Sequence, residues 1–249
     1  MSESPISDLY QDLALAEFYD LAPRARPDFA YCTTLAANAR SVLDLGCGTG
    51  VLAAALAAGR QVTAVDPAAA MLRLAQTRAG AEAVTWVQAD ATTLRLGRRF
   101  DLIVLTGHSF QVFLTRAAQR AVLATIAAHL APAGRFVFDT RNPAFAGAKE
   151  RNRAETEHQI MHPVHGPVDA WNISHYDPAS GILSFSNSYR ITATSETRSA
   201  SARILYTPRE VLEGLIREAG LGVEHWLGDW SGAAFAPRSR EIIPVGRLA

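Results

Sequence analysis

From residue 40 to residue 140 the hydrophobic positions alternate between two rhythms. Five short, nearly uninterrupted apolar runs read as buried strands: "SVLDLG" (41–46), "QVTAVD" (61–66), "VTWVQAD" (84–90), "FDLIVLTG" (100–107) and "RFVFDT" (135–140). Helical signals lie between them. "VLAAALAAG" is rich in alanine, the best helix former, and stops at Gly59. Pro67 suits the first turn of the next helix, which carries Met71, Leu72 and Leu74. Residues 115–130 form a further predicted helix, ended by "APAG". Strands alternating with helices predict βαβ units and a parallel sheet with helices on both faces. Right-handed crossovers make this a doubly wound α/β fold.

The flanks follow other patterns. Leu9, Leu13, Leu15, Ala16 and Tyr19 recur at roughly helical spacing over 8–22, and a second helix is predicted over 28–39. From about 150 to 206 the chain turns polar, rich in Ser, Thr, Asn and His. "DAWNISHYDPASGILSFSNSYRIT" reads as two extended segments around the turn residues Asp177, Pro178 and Gly181. This predicts a β-hairpin or small antiparallel sheet, inserted between the fifth strand and the last helix. That helix, "TPREVLEGLIREAG", offers Thr207 as N-cap, Pro208 at the first position and Glu210 for a capping box, with Gly220 as the stop. "LGVEHWLG" and "EIIPVGRL" are expected to pair antiparallel, because 229–240 shows no helix pattern. The expected organisation is one domain over 1–249. It has a helical segment at 1–39, a core at 40–140 and 207–249, and a β-rich insert at about 141–206.

Composition narrows the function. The chain has 249 residues, 49% of them hydrophobic, which suffices for one large domain. Lys plus Arg and Asp plus Glu each number 24, so the formal net charge is zero. Without a basic excess, nucleic acid is not the expected partner. The apolar runs are too short to span a membrane. "MSESPISDLYQDL" lacks the basic and apolar regions of a secretory signal, so a cytoplasmic protein is expected. Cys32 and Cys47, the two cysteines, match neither a zinc site nor a disulfide framework.

The densest chemical signal is "VLDLGCGTG", residues 42–50. A strand, then glycines, then a helix N-terminus lets a ligand approach bare backbone. In an open α/β sheet ligands sit beyond the carboxyl ends of the strands. Asp66, Asp90 and Thr106 to His108 are at or just past predicted strand ends, so they should converge with this loop on one cleft. A P-loop would need Lys and then Ser or Thr after the glycines, but Val51 and Leu52 follow. A dinucleotide fingerprint would place its third glycine at Val51; here the glycines are Gly46, Gly48 and Gly50. Asp44 at the strand end would repel a pyrophosphate and suits a ligand with a cationic amino group.

"DLGCGTG" resembles the first motif of the class I S-adenosylmethionine-dependent methyltransferases. "AVDPAAAML", "VQADATTL", "FDLIVLTGHSFQVF" and "LAPAGRFVFDT" resemble the second to fifth, so the likeness covers about 40–140 and the 207–249 tail. The resemblance implies a seven-stranded, mostly parallel sheet ending in an antiparallel hairpin. It implies S-adenosyl-L-methionine as cofactor, its methionine end over Gly46, Cys47 and Gly48 with Asp44 near the amino group. Asp66 would hold the ribose hydroxyls, Pro67 and Met71 would flank the adenine, and Asp90 and Ala91 would address its edge. Thr106 joins this set. "FYDLA" resembles the N-terminal lid of small-molecule methyltransferases, whose tyrosine, here Tyr19, covers the cofactor; Tyr10 is a second candidate.

Methyl transfer needs alignment and, in some cases, a base. His108, just past the fourth strand, is the candidate base. Gln111, Trp171, Tyr176, Arg190 and Tyr10 are candidate substrate contacts. His158, His162, His165 and His175 cluster in the insert, but no nearby carboxylate or cysteine completes a metal set, so no metal is expected. The insert is read as a substrate lid or dimer element, and the protein as monomer or homodimer. The expected reaction is methyl transfer to N or O of a small molecule. A non-catalytic cofactor-binding regulator and a macromolecular acceptor are the alternatives. The "LTGHSF" stretch lacks the N/D-P-P-Y/F pattern of base-modifying relatives, and lacks the acidic pair of aminopropyl transferases.

Overall fold

The computed structural model describes residues 7–21, 25–145 and 150–249. The first six residues and position 22 of the predicted first helix lie outside them. Two short helices, α1 (Asp8–Gln11) and α2 (Leu13–Ala16), are followed by α3 (Pro27–Leu35). The core runs β1 (Ser41–Leu45), α4 (Val51–Leu56), β2 (Gln61–Asp66), α5 (Ala69–Gln76), β3 (Val84–Gln88), β4 (Phe100–Leu105), α6 (Arg116–His129), β5 (Leu130–Phe138) and β6 (Thr140–Arg141). Then come α7 (Arg153–Thr156), β7 (His158–His162), β8 (Gly166–Asp177), β9 (Ile182–Ile191) and β10 (Thr197–Leu205). The chain closes with α8 (Arg209–Glu218), β11 (Leu221–Leu227) and β12 (Glu241–Leu248).

The main sheet has the order β11-β12-β5-β4-β1-β2-β3, with β6 pairing on β12. β1 to β5 are mutually parallel, and β12 runs antiparallel to β5 and β11. This is the expected doubly wound α/β fold. Strand alternation divides its apolar residues between two cores. Leu43 and Leu45 pack with Phe110, Leu123 and Phe138 on one face, and Val42 packs with Leu52, Leu56 and Cys32 on the other. Asp44 shares the second face, so β1 carries a carboxylate into a core. The register aligns Leu45 with Val65, Asp66 with Gln88, and Leu105 with Phe138. The carboxyl ends of β1 to β5 therefore share one edge. The strand order reverses between β1 and β4, which opens a crevice there.

Of the two expected forms of the insert, hairpin or small antiparallel sheet, the structure has the sheet. β8 and β9 are the two predicted segments, and β10 and β7 extend them to a four-stranded antiparallel sheet of order β10-β9-β8-β7. Two local expectations are corrected. The predicted helix over 8–22 breaks at Asp12, which ends α1 and caps α2 by accepting the Ala14 N–H at 2.9 Å. Thr207 forms no capping box: α8 is capped at Pro208 with no side-chain bond. The Thr207 hydroxyl is buried and accepts instead from Gln119 Nε2 at 2.8 Å and Arg116 Nη1 at 3.2 Å. Among the described residues no helix is long and apolar enough to cross a membrane.

Candidate active site

The loop after β1 is tied down by backbone bonds from Gly46 N and Cys47 N to the Val65 carbonyl, at 2.8 and 3.1 Å. Its glycines serve different ends. Gly50, at φ +75°, has no room for a side chain, since a Cβ would lie 2.5 Å from the Trp86 ring. At Gly48, at φ +54°, a Cβ would meet nothing within 4 Å. Gly50 thus serves packing, while Gly48 leaves bare backbone facing a cleft.

That cleft has a volume of about 1790 Å³. This exceeds the roughly 300–1,000 Å³ of one small-molecule pocket, so two ligands have room side by side. Gly46, Gly48, Asp66, Pro67, Met71, Asp90, Ala91 and His108 line it, as do Tyr10 and Tyr19 from the N-terminal segment. The predicted convergence of strand ends is therefore present.

Asp66 is buried, and its two oxygens accept from Gly48 N at 2.8 Å and Ala68 N at 2.9 Å. Burial pushes its carboxyl above the ordinary range, against the pull of these two bonds. Each oxygen keeps a second lone pair, so ligand hydroxyls can still be accepted. Asp90 is held in a local turn, its Oδ1 accepting from Thr92 N and Oγ1 at 2.7 Å each. Met71 and Ala16 pack together with Tyr10 and Tyr19 on one wall. Asp20, next to Tyr19, accepts from Thr49 Oγ1 at 3.1 Å and pairs with Arg78, fastening the segment to the core.

Behind Gly46 lies a second cavity of about 40 Å³, lined by Asp44, Cys47, Thr106, Tyr19 and Arg26 among others. Asp44 is buried, and its Oδ2 has no hydrogen-bond partner among the described residues. Burial first, and then the neighbouring Asp66, push its carboxyl up to about 7. An ammonium group placed here would satisfy the orphaned oxygen. Arg26 lies beside it, bonded to Asp28 at 2.7 Å, and can meet a carboxylate. Sequence reading missed Arg26, since only the fold brings it beside the glycine loop. Buried Asp44, bare Gly48 and Asp66 thus fit an amino-acid-bearing nucleoside. Burial raises the Cys47 thiol, which suits a packing role.

His108 sits at φ 64°, a left-handed conformation that non-glycine residues rarely adopt. Its backbone N–H bonds Asp139 Oδ1 at 2.9 Å, which holds the turn. Its Nε2 is 2.9 Å from Glu241 Oε2 and 3.5 Å from Asp139 Oδ2. Both carboxylates are buried, and burial raises the Asp139 carboxyl while His108 opposes it. Sequence reading named neither acid. Asp139 had a usable signal: it follows the fifth strand as Asp66 closes the second. Glu241 had none, because the antiparallel return of β12 beside β6 brings it in.

Of the other substrate candidates, Trp171 lines the cleft. The structure does not bring Gln111, Tyr176 or Arg190 there. Gln111 is fully buried and accepts from Arg141 at 3.0 Å. Tyr176 packs against Tyr206, with ring centroids 5.4 Å apart. Arg190 pairs with Asp169 at 2.7 Å on the opposite sheet face from Tyr189 and Asn187, which do line the cleft. Asn187 Oδ1 accepts from Asn172 Nδ2 at 2.7 Å, a polar pair in that lining. The expectation that no carboxylate accompanies the insert histidines is also corrected: Glu17 lies beside His162 and His165.

Residues 42–134 match the methyltransferase domain family. The cypemycin N-terminal methyltransferase of a Streptomyces species is 30% identical over 212 residues, spanning 84% of this chain and 83% of that protein. The chain belongs to the class I S-adenosylmethionine-dependent methyltransferases. The fold of this methyltransferase is shared by the CcbJ methyltransferase of Streptomyces caelestis, at a TM-score of 0.83 and 24% identity over 99% of this chain and 100% of that one. It is shared too by KedS8, a sugar N-methyltransferase from a Streptoalloteichus species, at 0.74 and 22% over 99% and 96%. S-adenosyl-L-methionine is the cofactor of this methyltransferase.

Proposed function

We propose that the enzyme methylates a nitrogen or oxygen of a small molecule, with an amine nitrogen as the favoured acceptor. The observation that carries this reading is His108, set on the cleft with two buried carboxylates behind its Nε2. Two acids at the acceptor end draw in a protonated amine. With Nε2 committed to Glu241, Nδ1 is the nitrogen left to take the acceptor's proton. Asp139 holds the backbone turn, and Glu241 holds the ring.

The bound cofactor supplies an electrophilic methyl group on its sulfonium. Asp44 and Arg26 would hold its amino and carboxylate groups, and Asp66 its ribose. Pro67, Met71, Asp90 and Ala91 would hold the adenine, and Thr106, which lines the small cavity with Asp44, would join the methionine end. Tyr19 and Tyr10 form a lid, and the four-stranded sheet roofs the acceptor, presenting Asn172, Asn187 and Tyr189 from one face; Trp171 reaches the cleft from the other face, where it stacks under Arg153. Zero net charge fits a small acceptor better than nucleic acid.

The relative named for methylating the N-terminus of cypemycin favours a second reading, in which the amine is a peptide's N-terminus. Transfer of labelled methyl to panels of amines, alcohols and short peptides with free or acetylated N-termini tests both. Methylated amines support the proposal. Label on free-N-terminal peptides alone selects the second reading, and label confined to alcohols overturns the preference for nitrogen.

A further inference from the structure

Glu17 joins the N-terminal segment to the second sheet. Its Oε1 accepts from Arg198 Nη1 of β10 at 2.6 Å and lies 3.2 Å from His165 Nε2. Its Oε2 lies 3.8 Å from His162 Nε2. Arg198 also donates to the Ala14 carbonyl at 3.2 Å, so one guanidinium grips α2 and the residue capping its end. The next residue, Phe18, is buried and stacks on Tyr189 of β9, with ring centroids 4.5 Å apart. Two residues after Glu17 comes Tyr19, on the cofactor side of the cleft.

Glu17, His162 and His165 place three potential metal-ligand atoms within 4.8 Å of one another. Hydrogen bonding assigns them another task. His162 Nδ1 accepts from Val164 N and His165 N, at 3.1 Å each. The ring proton therefore sits on Nε2, which faces Glu17 as a donor and offers no lone pair to a cation. Arg198 already supplies the cation that Glu17 faces.

The geometry points to Glu17 as a positioning residue: with Arg198 it clasps the lid to the roof, and so holds Tyr19 over the cofactor. This rests on the lid reading proposed above. Roof and lid then move as one unit, so a residue touching neither cofactor nor acceptor sets how long the cofactor stays. The clasp also has an acid limit. Protonated His162 would turn an N–H toward two backbone N–H donors and disrupt the turn between β7 and β8. The groups facing His162 are Glu17 from the lid, His165 from its own turn and Arg198 from β10. Glu196 lies behind Arg198, and Tyr189 of β9 beyond Phe18. Burial pushes the His162 imidazole down, against Glu17. A lowered histidine favours the fold above its unfolded value, so the clasp holds at pH 7 and weakens as pH falls below about 6.5.

The test is amide hydrogen exchange over residues 13–21 of the cofactor-free full chain, beside stopped-flow release of S-adenosylmethionine. Glu17→Gln and Arg198→Met are each expected to speed both by about tenfold, the scale of one charge-assisted hydrogen bond. Exchange in β1 to β5 should stay unchanged, and Arg198→Lys should restore most of the protection. On acidification from pH 7 to 5 the wild type should lose protection of 13–21. His162→Asn, which keeps an acceptor for the two backbone N–H groups but does not titrate, should retain it. Unchanged exchange in Glu17→Gln, faster exchange without faster release, or parallel pH profiles for wild type and His162→Asn each overturn the inference. A wild type that fails to bind the cofactor overturns the lid reading instead, and is told apart because exchange is read without cofactor.

Discussion

His108 Nε2 lies 2.9 Å from the carboxylate of Glu241, a residue 133 positions further along the chain. The contact commits Nε2 of a histidine that lines the cleft, and Nδ1 is the nitrogen proposed to take the acceptor's proton. His108→Ala is expected to lower kcat by about 10²-fold or more, the usual scale of general acid–base catalysis. Glu241→Gln should lose less, since it keeps a hydrogen-bond acceptor. Cofactor affinity, read by titration calorimetry, should change little in either. Undiminished turnover in His108→Ala would remove it as the base.

Asp44→Asn should have opposite effects on the free and bound protein. With the Asp44 carboxyl raised to about 7, the folded state favours its neutral form. Its contribution to stability is present below about pH 4 and is lost as pH rises through 7. Asparagine cannot ionise, so cofactor-free Asp44→Asn should be more stable than wild type at pH 8, by up to about 4 kcal/mol. It should match wild type near pH 4. Cofactor affinity at pH 8 should nonetheless fall at least about tenfold, because the ammonium loses its counter-charge. Denaturant melts at both pH values, with calorimetry, check the pair of signs.

The glycines should separate packing from binding. Gly50→Ala forces a Cβ into Trp86 at a left-handed φ, and should cost about 2–4 kcal/mol of stability. Gly48→Ala meets open space and should cost about 1–2 kcal/mol from backbone strain alone. Its larger effect should be on cofactor affinity. Urea midpoints and binding constants measured together decide it, and equal stability losses would refute the division.

Arg190 and Asn187 make a control pair. Asn187→Ala should raise the acceptor KM severalfold. Arg190→Ala, altering a partly exposed pair on the other sheet face, should leave KM and kcat within about twofold. A KM effect at Arg190 equal to that at Asn187 would place the acceptor on the wrong face.

Asp66→Ala removes the acceptor for Gly48 N as well as the proposed ribose contact. Cofactor binding should weaken by at least about tenfold. Unchanged affinity would sink the ribose assignment.

The cofactor end of the cleft was legible because its signals are local. "VLDLGCGTG" holds strand, turn and glycines within nine residues. Asp66 and Asp90 fall at strand ends that periodicity alone locates. Local signals failed where tertiary contacts compete with them. Thr207 has the residues of a capping box, but Gln119 and Arg116 claim its hydroxyl in the interior. Strand alternation sets Tyr189 and Arg190 on opposite faces of the second sheet. Only the packing of that sheet decides which face meets the cleft, so the sequence alone offers Arg190 as a substrate contact.

By itself the sequence determined the doubly wound α/β fold and the site edge of its sheet, each set by spacing within one element or between neighbours in the chain. The cofactor followed from the resemblance of its ordered motifs to the methyltransferases. Only the tertiary structure decided the end of the cleft proposed for the acceptor. It set Glu241 and Asp139 behind His108, Arg26 beside Asp44, and Glu17 among the histidines of the second sheet. These partners lie on distant elements, joined by strand pairing and burial, and no short-range pattern encodes which distant charges must meet.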